Sequence, residues 1–205
     1  MPVKANVAVL VSGGGTNLQA ILDAEKQGNI PSGKISLVVS NNPEAYAIER
    51  AKRSGVDHVF VLKRDYPDSS SWEKAIIDIL DKNHIDLIVL AGFMSILSKD
   101  FIKHFENRII NVHPSLIPAF CGQGFYGLKV HEAALKYGVK VSGATVHFVN
   151  EIPDGGKIIA QKAVEVLPDD TPEILQQRIM ENAEWILLPK AVEDISGQII
   201  KEQRK

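Results

Sequence analysis

One cysteine, Cys121, is all the thiol chemistry that 205 residues contain, which excludes an internal disulfide. The opening Met-Pro-Val-Lys-Ala lacks the apolar core of an export signal, so the expected location is the cytoplasm. There is no basic excess: 23 Lys and Arg stand against 25 Asp and Glu, for a net charge of -2. A protein built around nucleic-acid phosphates would carry a surplus of positive charge, so no nucleic-acid partner is expected. Long hydrophobic runs are also missing, because stretches such as Ile85 to Ala91 are far too short for a bilayer and contain Asp86, so no membrane association is expected. The histidines form no His-Glu-x-x-His pattern, and no metal site is expected. The Gly-x-Ser-x-Gly elbow is absent, leaving no clear protein nucleophile. What remains is a composition of 45% hydrophobic and 23% charged residues, which suits one ordinary globular fold.

Asn6 to Ser12 is a β-branched run that ends in Gly13-Gly14-Gly15 and gives way to helical spacing. Further strands are expected at Lys34–Ser40, Asp57–Leu62, Asp86–Ala91 and Arg108–Val112, with helices over Pro43–Gly55 and Ser70–Asn83 between them. Trp72, Ile76, Ile79 and Leu80 fall on one face of the latter. Such alternation predicts right-handed crossovers and a Rossmann-like α/β fold, with a mostly parallel sheet covered by helices on both faces. After residue 112 the pattern changes to a glycine-rich loop and a helix near Val130–Tyr137. Val141–Val149 and Lys157–Val166 then read as a late antiparallel hairpin. A final helix spans Pro172 to Ile195, capped by Asp170 or Thr171. No linker composition or internal repeat appears, so residues 1–205 read as a single domain, with a phosphate-binding half at 1–112 and a second half at 113–205.

Gly13-Gly14-Gly15-Thr16-Asn17 joins a strand to a helix N-terminus, where free backbone N–H groups and the helix dipole favour an anion. The alternative is a tight turn that needs only glycine's backbone freedom. No lysine occurs between Lys4 and Lys26, which excludes a P-loop for ATP. Dinucleotide binding would need a glycine near Leu18 and an acid after the second strand; Ser40-Asn41-Asn42 stands there, so NAD is disfavoured and a phosphate monoester fits better. Asn111 and His113 lie two apart on an extended segment stiffened by Pro114, so both face one spot at a strand's carboxyl end. By spacing alone they could equally satisfy loop carbonyls. Asp154-Gly155-Gly156 reads first as a hairpin turn. Its carboxylate could also approach His113 and raise its pKa from about 6.5, keeping the ring protonated near neutral pH. His147 reads as a packed or hydrogen-bonded strand residue and His131 as a helix-end residue. Ala91 to Leu97 could offer backbone to a flat heterocycle.

VLVSGGGTNLQAIL, VVSNN, LAGFMSILS, IINVHPSLIPAF, GATVHFV and Asp154-Gly155-Gly156, in that order, resemble the folate-dependent formyltransferases over nearly the whole chain. The resemblance implies transfer of a formyl group from 10-formyltetrahydrofolate, a cosubstrate, to the amine of glycinamide ribonucleotide in purine biosynthesis. It implies a catalytic trio of Asn111, His113 and Asp154, and phosphate binding by Gly15, Thr16 and Asn17. The folate would meet Met94, Ser95, Ile96, Leu97, Asn111, Asn150, Glu151, Ile152, Pro153 and Asp154, and the ribonucleotide Glu184 and Glu181. Ser69 stands where many members carry an arginine for the folate tail, Cys121 to Gly127 is longer than the usual connection, and Gly155-Gly156 replaces a frequent Thr-Gly. A formyltetrahydrofolate hydrolase would be expected to carry an extra amino-terminal domain, and a methionyl-tRNA formyltransferase an extra carboxyl-terminal one. A non-catalytic nucleotide-binding module would use only the glycine turn. Oligomeric state is left open between monomer and homodimer.

Overall fold

The computed structural model describes residues 3–204. Its centre is a seven-stranded sheet, ordered β3-β2-β1-β4-β5-β6-β7. The strands are β1 (Ala5–Val11), β2 (Gly33–Ser40), β3 (Asp57–Phe60), β4 (Leu87–Leu90), β5 (Ile109–His113), β6 (Val141–Phe148) and β7 (Ile158–Glu165). β1 to β5 pair in parallel, β6 runs antiparallel to β5, and β6 and β7 form the expected hairpin.

Alternation along β1 divides the core. Val7, Val9 and Val11 pack with α1 (Thr16–Lys26), α2 (Ala47–Arg53) and the late helices, while Ala8 and Leu10 pack with Trp72, Ile76 and Leu80 of α3 (Ser69–Lys82) and Phe101 of α4 (Lys99–His104). Both faces are therefore covered, as a buried parallel sheet requires. Because β1 lies between β2 and β4, the chain leaves it in opposite directions. The resulting switch point opens a crevice at the carboxyl ends of β1 and β4, where Gly13–Gly15 and Gly92–Leu97 emerge.

Local signals explain most boundaries. Asp68 caps α3 by accepting from Ser71 N at 2.7 Å, and Thr171, rather than Asp170, caps α6 (Pro172–Ile179) through Ile174 N. Asp170 instead accepts the Arg178 guanidinium and Leu167 N. α2 is shorter than its sequence suggests, because residues 43–46 form turns before Ala47. α4 was not foreseen; its signal is Ser98, whose side chain accepts from Phe101 N.

The expected single helix over Pro172–Ile195 is a larger departure. A π-turn, Met180–Glu184, separates α6 from α7 (Trp185–Gln203), and Trp185 N reaches Met180 O. Pro189 offers no N–H to the Trp185 carbonyl and its ring crowds that group, so the helix adjusts one turn upstream. His131 lies in the first turn of α5 (Leu128–Tyr137), fully buried, and burial pushes its pKa down to about 4.

Gly15 begins α1 with φ of 71°, and a Cβ there would lie 2.6 Å from Ala47 Cβ. Gly15→Ala combines left-handed strain with overpacking, together roughly 3 kcal/mol. Thermal unfolding should fall by about 6–12 °C for a chain of this size; an unchanged midpoint would show that α1 and α2 do not approach as described.

Candidate active site

The strand register builds the site. Asn111 pairs with His147 across β5 and β6, and His113 pairs with Thr145, so alternation brings Asn111, His113 and His147 to one face. Thr145 then fixes the loop after His113: its hydroxyl donates to Ser115 O at 2.7 Å and accepts from Ile117 N at 3.1 Å. Asn111 Nδ2 lies 3.1 Å from His147 Nε2, and His147 Nδ1 lies 2.8 Å from Phe148 O. His113 Nε2 donates to Phe120 O at 2.9 Å.

Asp154 closes the cluster from the β6–β7 connection. It stands in the longer loop over residues 149–157 with φ of 56°, not in a tight two-residue turn. One carboxylate oxygen accepts from Gly122 N at 2.8 Å and lies 3.5 Å from His113 Nδ1; the other is 3.6 Å from His147 Nε2. Gly156 permits this course, since a Cβ there would fall 1.7 Å from Phe148 O. Burial pulls Asp154 upward, yet the nearby His147 and His113 rings and the Gly122 N–H together keep it below the ordinary carboxylate value.

The expectation of a raised His113 pKa is corrected. Burial outweighs the Asp154 charge and the Phe120 carbonyl, so His113 sits below its ordinary 6.5 and is mainly neutral near pH 7. Sequence placed the carboxylate near the ring but gave no measure of how completely the ring is desolvated; it is only 4% exposed.

Two connected recesses flank Asn111 and Asp154. The smaller, about 150 Å³, includes Ser95, Ile96, Leu97 and the segment Asn150 to Asp154 in its walls. The larger, about 550 Å³, includes Asn17, Met94, His113, Phe125 and Glu184. The loop beside them is tied to the strand ends: Met94 N donates to Ser12 Oγ, Ser12 Oγ to Asn41 Oδ1, and Asn41 Nδ2 to Ser95 Oγ. Asn41, in the VVSNN run, is thus a bracket between β1, β2 and the β4 loop.

At the glycine turn, Gly13 and Gly14 have open space where a side chain would be, and their carbonyls are engaged by Ala47 N and Arg50 Nε. Among the described residues, the N–H groups of Gly13, Gly14 and Gly15 meet no protein acceptor. Thr16 Oγ1 contacts Met180 Sδ, whereas Asn17 reaches the larger recess and donates to Glu184 Oε2 at 2.6 Å. Glu184, on the π-turn, is 5% exposed, and burial raises its pKa to about 6 despite the Asn17 bond. Glu181 does not join it; the helix carries it to the exposed side, bonded to Gln177. Sequence reasoning missed His147 as a member of the cluster, and Gln123, Phe125, Tyr126, Gln176 and Met180 in the walls. Period-two spacing from Thr145 could have signalled His147, but its partner strand is a matter of register. Among the described residues no group of three or more His, Cys, Asp or Glu is placed to hold a metal ion, and no helix is long and apolar enough to cross a membrane.

A family profile described as formyl transferase matches residues 5–192, and the chain belongs to that family. Within it, a phosphoribosylglycinamide formyltransferase of Haemophilus influenzae is 40% identical over 186 residues, covering 91% of this chain and 84% of that one. The human trifunctional purine biosynthetic protein adenosine-3 is 38% identical over 198 residues, covering 97% of this chain and 19% of that protein. The crystal structure of glycinamide ribonucleotide transformylase 1 from Symbiobacterium toebii superposes with a TM-score of 0.89 at 42% identity, over 95% of this chain and 89% of that one.

Glu184 makes stability depend on pH. Its folded pKa of about 6 lies above the ordinary 4.5, so its contribution is fully present below 4.5 and is lost as pH rises through 6. The loss is roughly 2 kcal/mol. Urea unfolding at pH 4.5 and 7.5 should show this difference between the wild type and Glu184→Gln; identical pH profiles would contradict the buried carboxylate.

Proposed function

We propose that the chain transfers the formyl group of 10-formyltetrahydrofolate to the primary amine of glycinamide ribonucleotide. The observation that carries this reading is the meeting of both recesses at Asn111 and Asp154, with Asn17, just after the glycine turn, in the wall of the larger and Ser95, Ile96 and Leu97 in the wall of the smaller. The ribonucleotide phosphate takes the open N–H groups of Gly13 to Gly15 beside Asn17, where the helix dipole favours an anion. Glu184 accepts from ribose hydroxyls. The folate ring lies along Ser95, Ile96 and Leu97 and under the segment Asn150–Asp154, with the folate acting as cosubstrate.

The amine attacks the formyl carbon directly, giving a tetrahedral oxyanion without a protein acyl group. Asn111 donates to that oxygen, a contribution of the kind worth about 3 kcal/mol of barrier. His113 starts neutral and is placed to take the proton that the attacking nitrogen releases and to return it to the departing N10. Asp154 stabilises the imidazolium that forms in between. The domain reading follows the same line: the two halves at 1–112 and 113–205 each supply one wall of a single site.

The test is absorbance of the folate with and without glycinamide ribonucleotide. Formyl loss that requires the amine is the expected result; loss without it would indicate a hydrolase, and none under either condition a binding module. Asp154→Asn should retain its fold by circular dichroism while kcat falls on the order of a hundredfold or more. Near-normal kcat in that variant would remove Asp154 from the reaction.

A further inference from the structure

Arg50 has no part in the reaction as described above, yet it grips the glycine turn from behind. Its Nε donates to Gly14 O at 2.8 Å, and its Nη1 donates to Gln19 Oε1 at 3.1 Å on α1. One peptide earlier, Ala47 N at the start of α2 donates to Gly13 O at 3.1 Å. Two successive carbonyls of the turn therefore point at α2. The Tyr46 ring supports the guanidinium, whose carbon lies 5.1 Å from the ring centroid. Among the described residues no carboxylate forms an ion pair with Arg50.

The direction of the N–H groups follows from planarity. The peptides of the turn are trans, and in a trans peptide the N–H points opposite to the C=O. With Gly13 O and Gly14 O held toward α2, the N–H groups of Gly14 and Gly15 are turned away from it. The space around the turn agrees. A Cβ on Gly13 or Gly14 would meet nothing within 4 Å, whereas one on Gly15 would strike Ala47 and come within 3.4 Å of Arg50 Cδ. A peptide between two glycines rotates at little cost, since neither residue has a side chain to resist it. Arg50 takes that freedom from the Gly14–Gly15 peptide.

We propose that Arg50 is a positioning residue for the ribonucleotide phosphate: by holding Gly14 O it fixes the Gly15 N–H toward the anion. The inference rests on the reading of the glycine turn as the phosphate site. Cation, carbonyl, N–H and anion then form one chain in which each hydrogen bond polarises the next. Arg50 does not touch the ligand, because the peptide that it holds stands between them.

Calorimetric titration with glycinamide ribonucleotide reads this without turnover. Arg50→Met keeps an aliphatic stem against the turn and removes the donors, and it should weaken binding about tenfold. Arg50→Lys, which keeps the charge and a donor, should recover part of that loss. Under turnover the KM for the ribonucleotide should rise by a similar factor, with kcat and the KM for the folate unchanged. The dephosphorylated riboside separates this role from a general one. Its kcat/KM, readable without saturation, should be the same in wild type and Arg50→Met. An equal loss with both substrates, or unchanged ribonucleotide affinity in Arg50→Met, would overturn the proposal. Arg50-dependent binding without formyl transfer would sink the proposed function alone, and formyl transfer with Arg50-independent binding would sink this inference alone.

Discussion

A single carboxylate shared between two buried imidazoles is the interaction on which the site depends. Asp154 lies 3.5 Å from one ring and 3.6 Å from the other, and it also accepts the Gly122 N–H. Three segments distant in sequence, the tip of β5, the end of β6 and the loop beginning at Cys121, therefore share one negative charge. Removing a charge from such a place leaves its partners desolvated and unpaired, which costs more than the pair contributes in isolation.

The sheet makes this arrangement possible. β5 is the last parallel strand, and antiparallel β6 beside it sets Asn111 against His147 and His113 against Thr145. The β6–β7 hairpin in turn supplies the short connection, residues 149–157, that returns Asp154 to the strand ends. On the other side, the switch point between β1 and β4 opens the glycine turn and the Met94 segment toward the same crevice. The proposed chemistry needs an anion site, a flat slot and a polar centre, and this strand order brings the glycine turn, the Met94 segment and the Asn111 cluster to the same ends of the strands.

Much of this was legible in the residues. The alternation of strands and helices, the late hairpin and the convergence of Asn111 and His113 follow from spacing and from Pro114 alone. Other features depend on three-dimensional facts that spacing does not carry. The direction of the His113 pKa shift is set by burial, which outweighs the opposing charge of the nearby Asp154. The break in the last helix comes from Pro189, a residue visible in the sequence whose effect appears one turn upstream. Glu181 and Glu184 are three residues apart, yet one is exposed and the other walled in, because the π-turn sets which side faces the cleft. His147 joins the site through cross-strand register, which no single strand encodes.

The central claim is that both substrates meet at the Asn111, His113 and Asp154 cluster. A crystal structure with glycinamide ribonucleotide and a folate analogue lacking N10 tests it most directly. The account places the phosphate on Gly13 to Asn17 and the amine in van der Waals contact with the analogue beside Asn111 and His113. A phosphate bound elsewhere, or two ligands held apart with the cluster untouched, would contradict it.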